Sequence, residues 1–370
     1  MNGNITVCQY NQCAGCMVCV NKCSRNAIRI VDDRRSYNAV INPNRCVSCG
    51  QCTEVCPNVH PVEKKTPEYV RQGWANDSHV RQAASSGGVA TAIAIAFVKA
   101  GGICCACRYE HGQFVFGTAE TAEDVQQFAG SKYVKSNPGG IYKEVQKYIR
   151  AERKVLFIGL PCQVAAMKKY MGDHALLYTI DLICHGSPSP KLLDMYLQEM
   201  KRPLQQHREI TFRQKNCYFL ALDKKSVQPK GVFDRYTYSF LQGIDYTENC
   251  YSCQYASLER VSDITLGDSW GSELEEQEMG KGLSLILCQS EKGHELLAMA
   301  DMTLLDVDLD VAVKNNKQLS HPMSKPEKRE LFYHTLRKTE SFSKAVRKAY
   351  PKECFRFELK AFLIKSGLLK

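Results

Sequence analysis

Eight of the nineteen cysteines fall in two short stretches that have the same spacing. The first stretch holds Cys13, Cys16, Cys19 and Cys23, and the second holds Cys46, Cys49, Cys52 and Cys56, with Pro57 directly after it. A disulfide needs only two thiols, and disulfide scaffolds are usually short secreted chains that cannot build a core. Because this chain has 370 residues, the clustered thiols are better interpreted as metal ligands.

In each stretch three thiols lie on one tight loop and the fourth lies about a turn further on, which is the C-x2-C-x2-C-x3-C run of bacterial ferredoxins. There the remote fourth thiolate ligates the neighbouring 4Fe-4S cluster. We therefore expect one cluster on Cys13, Cys16, Cys19 and Cys56, and another on Cys46, Cys49, Cys52 and Cys23. Zinc is the alternative, but it needs two Cys-x2-4-Cys pairs that close a tetrahedron, which triads with an outlier fit poorly. Cys8 lies outside the pattern and is interpreted as a bystander.

The chain divides into segments of different patterning. Between the cysteine runs, AIRIV and NAVIN predict short strands of a duplicated unit. Later, apolar strand patterns alternate with helical ones, which favours an α/β sheet that is at least partly parallel. We predict an α+β protein with a ferredoxin-like domain over 1–60, a linker over 61–79, an α/β part over 80–206, its strand-rich continuation over 207–313 and a basic helical tail over 314–370.

Composition limits the location and the partners. The N-terminus has no basic region followed by an apolar run, and the longest apolar stretch is broken at Lys99, so we expect no transmembrane segment and a cytoplasmic location. Residues 314–370 hold fifteen Lys or Arg and five Asp or Glu, a difference equal to the whole chain's +10. This tail is interpreted either as a solvated helical face or as a docking face for an acidic partner or an anionic surface. No nucleic-acid-binding motif accompanies the charge, so we expect no nucleic-acid partner.

Four further cysteines stand in motifs of their own. Cys162 and Cys184 each follow a predicted buried strand, and Cys250 and Cys253 form a Cys-x2-Cys pair. Together they supply the thiolates for one further metal site. The spacing leaves other interpretations open, namely inert thiols or a reactive Cys162 whose pKa is lowered at a helix start. A catalytic pair of Cys184 with His185 is not favoured, because adjacent residues on a strand point to opposite faces.

Two motifs are candidates for phosphate binding. Ser85, Ser86, Gly87 and Gly88 precede a predicted helix whose free N–H groups favour an anion, although an ordinary N-capped core helix has the same pattern. In the second motif, GSKYVKS, Lys132 is suited to a phosphate and Tyr133 to stacking on a ring. The alternative is that this Lys–Tyr pair lies on the surface.

In this order ASSGG, GSKYV, GLPCQ, ICHGSPSP, the Cys-x2-Cys pair and DITLGDSWG resemble the beta subunit of coenzyme F420 hydrogenase and dehydrogenase, over about residues 80–320. The resemblance implies an FAD-binding α/β domain. It also implies a third 4Fe-4S cluster on Cys162, Cys184, Cys250 and Cys253, and flavin contacts at Ser85, Ser86, Gly87, Gly88, Ser131, Lys132 and Tyr133. It does not carry over the substrate, so use of the deazaflavin coenzyme F420 stays open.

We therefore interpret the chain as an iron–sulfur flavoprotein oxidoreductase. A hydride would be exchanged at FAD with a soluble coenzyme, and single electrons would pass through the 4Fe-4S clusters to or from a redox partner protein. One alternative is a reductase of an organic substrate, such as a sugar or a pigment-like molecule. Another alternative is a pure electron-transfer subunit. No catalytic acid or base is assigned.

Overall fold

A computed structural model describes residues 5–369; residues 1–4 and 370, at the ends of the first and last predicted segments, lie outside it. The N-terminal unit contains α1 (Val18–Lys22), β1 (Ile28–Asp32), β2 (Tyr37–Ile41) and α2 (Gln51–Glu54). β1 and β2 pair antiparallel, with Ile30 opposite Ala39. The two strands lie where the sequence predicted them and separate the two cysteine runs.

Eleven further strands follow within residues 5–369, and most of them lie in segments with an apolar strand pattern. They are β3 (Tyr69–Ala75), β4 (Ile103–Glu110), β5 (Gln113–Ala119), β6 (Val155–Gly159), β7 (Leu177–Leu182), β8 (Ile210–Gln214), β9 (Cys217–Leu222), β10 (Lys225–Ser226), β11 (Ile264–Asp268), β12 (Ser284–Cys288) and β13 (Met302–Asp306).

The helices that follow the N-terminal unit cover the sheet and form the C-terminal region. They are α3 (Ser78–Ala83), α4 (Val89–Lys99), α5 (Ala122–Val125), α6 (Ile141–Arg150), α7 (Pro161–Met171), α8 (Pro190–Glu199), α9 (Arg235–Leu241), α10 (Glu276–Gly280), α11 (Glu291–Met299), α12 (Leu309–Asn315), α13 (Arg329–Thr339), α14 (Phe342–Ala349) and α15 (Pro351–Lys365). None of the helices within 5–369 is long and apolar enough to cross a membrane.

Within residues 5–369 eight strands form one mixed sheet in the order β13-β3-β12-β11-β7-β6-β4-β5. Its centre, β4-β6-β7-β11, is parallel, as the alternating pattern predicted. The sheet draws strands from both 80–206 and 207–313, so these predicted parts share one core. Because β6, β7 and β11 run in the same direction, their carboxyl ends meet at one edge, where ligands of open α/β sheets usually bind.

The predicted linker over 61–79 is wrong for residues 69–75, because β3 lies inside it. β3 pairs antiparallel with both β12 and β13. Its polar side chains do not form an apolar strand pattern, but they are hydrogen-bonded. The Gln72 amide donates to the Asp306 carbonyl and accepts from the Ser269 hydroxyl. The strand is therefore an interior member of the sheet.

The C-terminal helices are packed against the rest of the protein. Phe332 of α13 and Phe342 and Val346 of α14 are fully buried, in a cluster that also includes Phe212 of β8 and Leu193 of α8. The interpretation of 314–370 as a solvated helical face is therefore wrong for α13 and α14, whose inner faces belong to a core. Exposed apolar side chains remain on α15, where Phe355 and Phe362 are each 63% exposed.

Candidate iron–sulfur centres and the sheet edge

The four thiols predicted to hold the first cluster lie together in the N-terminal unit. We name Cys13, Cys16, Cys19 and Cys56 the inner cysteine set. All four are buried and line one small cavity of about 10 Å³. Cys56 comes from the second cysteine run and lies beside the first three, as the cross-ligated ferredoxin pattern requires. The structure therefore brings together the predicted thiols from both runs.

Cys8 was interpreted as a bystander, and its position does not agree with that. Cys8 lines the same small cavity as Cys13 and Cys56, so its thiol lies beside theirs. This contact lowers the pKa of Cys13, and it lowers the pKa of Cys56 to about 7. A lowered thiol pKa favours the thiolate, which is the form that binds metal. The inner site thus contains a fifth thiol that the spacing rule had no means of detecting.

The second set is differently placed. We name Cys23, Cys46, Cys49 and Cys52 the outer cysteine set. Cys49 is exposed and the other three are half-buried. Cys46 accepts a hydrogen bond from the amide of Ser48 at 3.4 Å. In the part of the chain that the structure describes, no group of three or more His, Cys, Asp or Glu side chains is arranged around a single metal ion.

The third set is assembled from the carboxyl edge of the large sheet. We name Cys162, Cys184, Cys250 and Cys253 the third cysteine set. Cys162 follows β6 at the start of α7, Cys184 follows β7, and Cys250 lies in a short 3-10 helix over Glu248–Ser252 with Cys253 directly after it. All four line one cavity of about 410 Å³. Residues that are far apart in the sequence therefore meet in a space large enough for a metal cluster.

The thiols of this set interact with one another. The pKa of Cys162 is raised to about 12, mainly by burial; Lys135 opposes this rise, and neighbouring Cys253 and Cys250 add to it. Cys162 therefore lies in a group of four thiols and is not an isolated thiol. His185 lines the same cavity as Cys184, so the rule that placed them on opposite faces does not apply beyond the end of β7. Burial lowers the pKa of His185.

The inner site and the third site are neighbours. Cys8, Ala14 and Asn58 line both cavities. Tyr255 lines the cavity of the third set and belongs to the same buried cluster as Cys16 of the inner set. One layer of residues thus separates the two thiol sets.

The SSGG turn lies at the same edge of the sheet. The Gly87 amide donates to the Ser284 hydroxyl at 3.0 Å, and Ser284 pairs with Asp268 at the carboxyl end of β11. A Cβ on Gly87 would lie 2.4 Å from the Gly73 carbonyl oxygen, so close strand packing by itself requires this glycine. Gly88 caps α4 with φ +85°. The turn opens a helix as predicted, and the structure gives Gly87 a packing role.

The GSKY motif is joined to this turn, because the Ser131 amide donates to the Ser85 hydroxyl at 2.8 Å. The Lys132 ammonium donates to the carbonyls of Phe128, Ala129 and Gly130. The Tyr133 ring stacks on Phe240 at 4.3 Å between centroids. The two motifs therefore meet, while the side chains of Lys132 and Tyr133 are engaged within the protein.

Several charged residues at this edge were not identified from the sequence. Arg213 of β8 forms a two-point ion pair with Asp268, at 2.6 and 2.8 Å, and lies over the rings of Tyr218 and Trp270. The Lys215 ammonium donates to carbonyls of the SSGG segment, including those of Ala84 and Ser86. Burial, together with nearby Arg81 and Arg213, lowers the pKa of Lys215 to about 8. The DITLGDSWG motif was the available signal for Asp268 and Trp270, but no pattern pointed to Arg213 or Lys215.

Comparison with known proteins matches three regions of the chain to family models. Residues 12–59 match a 4Fe-4S dicluster domain. Residues 70–139 match the N-terminal model of the coenzyme F420 hydrogenase/dehydrogenase beta subunit, and residues 152–308 match its C-terminal model. The two beta-subunit models together span more than half of the chain.

Two relatives agree with these matches. The coenzyme F420-dependent sulfite reductase of Methanocaldococcus jannaschii is 25% identical over 310 residues, which are 77% of this chain and 45% of that protein. This chain thus spans about half the length of that relative. A chain of the F420-reducing [NiFe] hydrogenase complex from Methanosarcina barkeri is similar in fold, with a TM-score of 0.50 and 20% identity over 69% of this chain and 89% of that chain. The chain therefore belongs to the coenzyme F420 hydrogenase/dehydrogenase beta subunit family of oxidoreductases and carries a 4Fe-4S dicluster domain at its N-terminal end.

Proposed function

We propose that the protein is an iron–sulfur flavoprotein that moves electrons between a hydride-carrying coenzyme at FAD and a redox partner, through three 4Fe-4S clusters. The observation that carries this proposal is the adjacency of the third and inner cysteine sets, whose cavities share Cys8, Ala14 and Asn58. Each set supplies the four thiolates that a cubane needs. The SSGG turn lies at the same sheet edge as the third set.

The thiol sets fit their clusters on different grounds. For the third set the ground is four thiols around an open cavity of about 410 Å³. For the inner set it is the ferredoxin spacing together with the burial of all four thiols around one cavity. For the outer set the spacing alone supports the assignment.

An FAD site at the SSGG turn fits the charges found there. Lys215 lies near both Arg81 and Arg213, and the two arginines form ion pairs with Glu278 and Asp268 respectively. This leaves an excess positive charge beside the amino end of α4, and both features favour the phosphates of a dinucleotide. Ser85 and Ser131 hold the two motif segments together around that position. Bound FAD would supply the conversion between two-electron and one-electron transfer.

The chain's own residues then have distinct tasks. The first turn of α4 and its cations bind phosphate. The Arg213–Asp268 pair keeps a guanidinium fixed at the sheet edge near His185, since Asp268 and Arg213 both act on that imidazole. The third set lies between this edge and the inner set. The outer set, whose Cys49 is exposed, lies nearest to solvent and is suited to exchange electrons with a partner.

The names of the relatives suggest the donor. One relative is an F420-dependent sulfite reductase and the other belongs to an F420-reducing hydrogenase complex. We propose reduced or oxidised coenzyme F420, or a coenzyme with similar hydride chemistry, as the soluble partner at FAD. A redox protein at the other end fits a chain that matches part of a longer enzyme and a chain of a complex.

Anaerobic reduction of the reconstituted protein tests this function. Purified protein is loaded with iron, sulfide and FAD, freed of excess cofactor, and mixed with reduced F420 or, separately, NADH. Bleaching of bound FAD followed by appearance of reduced-cluster signals is expected. Stable FAD binding with no reduction by any hydride donor would favour a pure electron-transfer subunit. Absence of FAD binding would overturn the flavin part of the proposal.

A matched pair of variants tests the position of FAD. Ser85→Ala removes the acceptor for the Ser131 amide, so we expect FAD affinity to fall by about five- to tenfold, the effect of one hydrogen bond. Ser366→Ala, near the C-terminal end of α15, removes a similar hydroxyl far along the chain and should leave the affinity unchanged. Equal affinity in both variants would place FAD elsewhere.

A further inference from the structure

Lys135 is a buried cation at the boundary between the inner and the third cysteine sites. It is 5% exposed, and it lines the cavity that holds the third set. Its ammonium donates to the carbonyl of Ala14, a residue of the inner loop, at 3.1 Å. Its backbone is anchored by a bond from its amide to the Pro188 carbonyl at 2.9 Å. The charge is thus held in place between two thiol sets.

The inner loop is shaped to admit this side chain. A Cβ on Gly15 would lie 2.3 Å from the Tyr37 ring and 3.3 Å from Cδ of Lys135, and Gly15 has φ +71°. The Lys135 ammonium lies 5.3 Å from the centre of that same ring. Glycine between Cys13 and Cys16 therefore allows Tyr37 and the lysine stem to pack against the loop.

The charge of Lys135 is directed at thiols. The Lys135 side chain lines the cavity of the four thiols of the third set, and its ammonium binds the carbonyl of Ala14, the residue that follows Cys13. The nearby Arg260 differs, because its guanidinium pairs with the Asp181 carboxylate at 2.9 Å. The Lys135 side chain therefore contacts parts of both thiol sites and lies outside the Arg260–Asp181 ion pair.

A buried cubane on four thiolates carries net negative charge, and each electron that it accepts adds to that charge. Burying such a charge is unfavourable unless a nearby cation compensates it. Reduction is therefore favoured where a fixed cation lies close, because an interaction in a poorly solvated interior is weakly screened.

We propose that Lys135 is a positioning residue that raises the reduction potentials of the inner and third clusters together, so that electrons pass between them. This inference rests on the proposed function, since it requires clusters in both sets. The outer cluster, whose cysteines the structure does not bring against Lys135, serves as the internal reference.

The test compares Lys135→Met and Lys135→Gln, which remove the charge, with Lys135→Arg, which keeps it. Iron content of the unaltered protein is measured first, because about twelve irons per chain are needed for three cubanes. A lower count there is a failure of the proposed function and not of the role of Lys135. Cluster potentials are then read by electron paramagnetic resonance during a chemical reductive titration, without FAD or any coenzyme. Cys56→Ala and Cys253→Ala assign the signals.

We expect both neutral variants to shift the reduction equilibrium of the inner and third clusters at least tenfold towards the oxidised form, which is about 59 mV for one electron. The reduction potential of the outer cluster should not change. In Lys135→Arg the potentials of the inner and third clusters should shift less than in the neutral variants. Equal potentials in all variants, or an equal shift in all three clusters, would overturn the proposal. If the neutral variants lose clusters while Lys135→Arg keeps them, the result supports a requirement of the clusters for the positive charge at position 135. If Lys135→Arg also loses the clusters, side-chain packing and not charge is the cause, and the proposal is overturned.

Discussion

The two halves of the N-terminal unit have the same cysteine spacing but different surroundings. Cys13, Cys16 and Cys19 are 5–8% exposed, whereas Cys49 is exposed and Val47 of the same loop is 57% exposed. α1 packs beside α6 and α7 of the large domain, and Tyr142 of α6 donates a hydrogen bond to the carbonyl of Cys16. The corresponding loop of the second run has no such cover in the described structure.

This difference teaches that a repeated ligand motif can serve two tasks. The inner set faces the third set, and the outer set faces solvent. If both hold cubanes, the inner one receives electrons from within the protein and the outer one exchanges them with a partner. Four predictions, from the largest expected effect to the smallest, test this contrast.

Removal of Cys56 should destroy the inner cluster. Cys56→Ala should lose about four of about twelve irons, because the thiol supplies one corner of that cubane. Cys8→Ala is the matched control, since Cys8 touches Cys13 and Cys56 but lies outside the ligand spacing. Iron analysis and electron paramagnetic resonance measure both variants. Loss of the cluster in Cys8→Ala with retention in Cys56→Ala would exchange the roles of the two thiols.

Removal of Cys253 should break the path into the N-terminal unit. Cys253→Ala should also lose about four irons, because a cubane with three protein thiolates is incompletely held. Rapid mixing with a hydride donor should still reduce FAD, but the inner and outer clusters should stay oxidised. Normal reduction of those clusters without the third one would place the electron path elsewhere.

Exposure should make the outer cluster the more labile of the two in the N-terminal unit. We expect a chelator or a soluble oxidant to destroy the outer cluster first, because its thiols are exposed or half-buried. The order is measured by following the two cluster signals over time in the unaltered protein. Simultaneous loss, or earlier loss of the inner cluster, would contradict the contrast in burial.

Changes to the basic residues of α15 should have the smallest effect of the four, a weaker docking of a partner protein. Truncation after residue 315 is unsuitable as a test because it would remove buried Phe332 and Phe342. Exposed charges are worth about 0.2–1 kcal/mol each, so Lys352→Glu with Lys365→Glu should weaken coupling to an acidic partner about fivefold at low salt. The effect should fade as salt rises.

Lys143→Glu with Lys147→Glu, on the exposed side of α6, is the control pair with the same change in charge. Partner turnover and thermal stability are measured for both pairs at two salt concentrations. An equal decrease in turnover in the two double variants would show that net charge, and not the position of the charges on α15, controls docking.

Much of the molecule follows from its sequence because the relevant signals are local. Ligand spacing over eleven residues identifies the cysteine runs, and apolar segments of five or six residues identify β6, β7, β11 and β12. Turn residues such as those of SSGG mark the start of α4. The family resemblance extended this to the four cysteines that line the third site.

Tertiary structure decided the features that depend on distant segments. β3 is an interior strand because it pairs with β12 and β13, which lie more than 200 residues away in the sequence. Its own polar pattern does not predict these hydrogen bonds. The position of Cys8 in the inner site and the ion pair of Arg213 with Asp268 also depend on contacts between distant segments. Lys135 lies 121 residues from Ala14, whose carbonyl its ammonium binds. A spacing rule measures separation along the chain, whereas charge and hydrogen bonding depend on separation in space, and only folding converts one into the other.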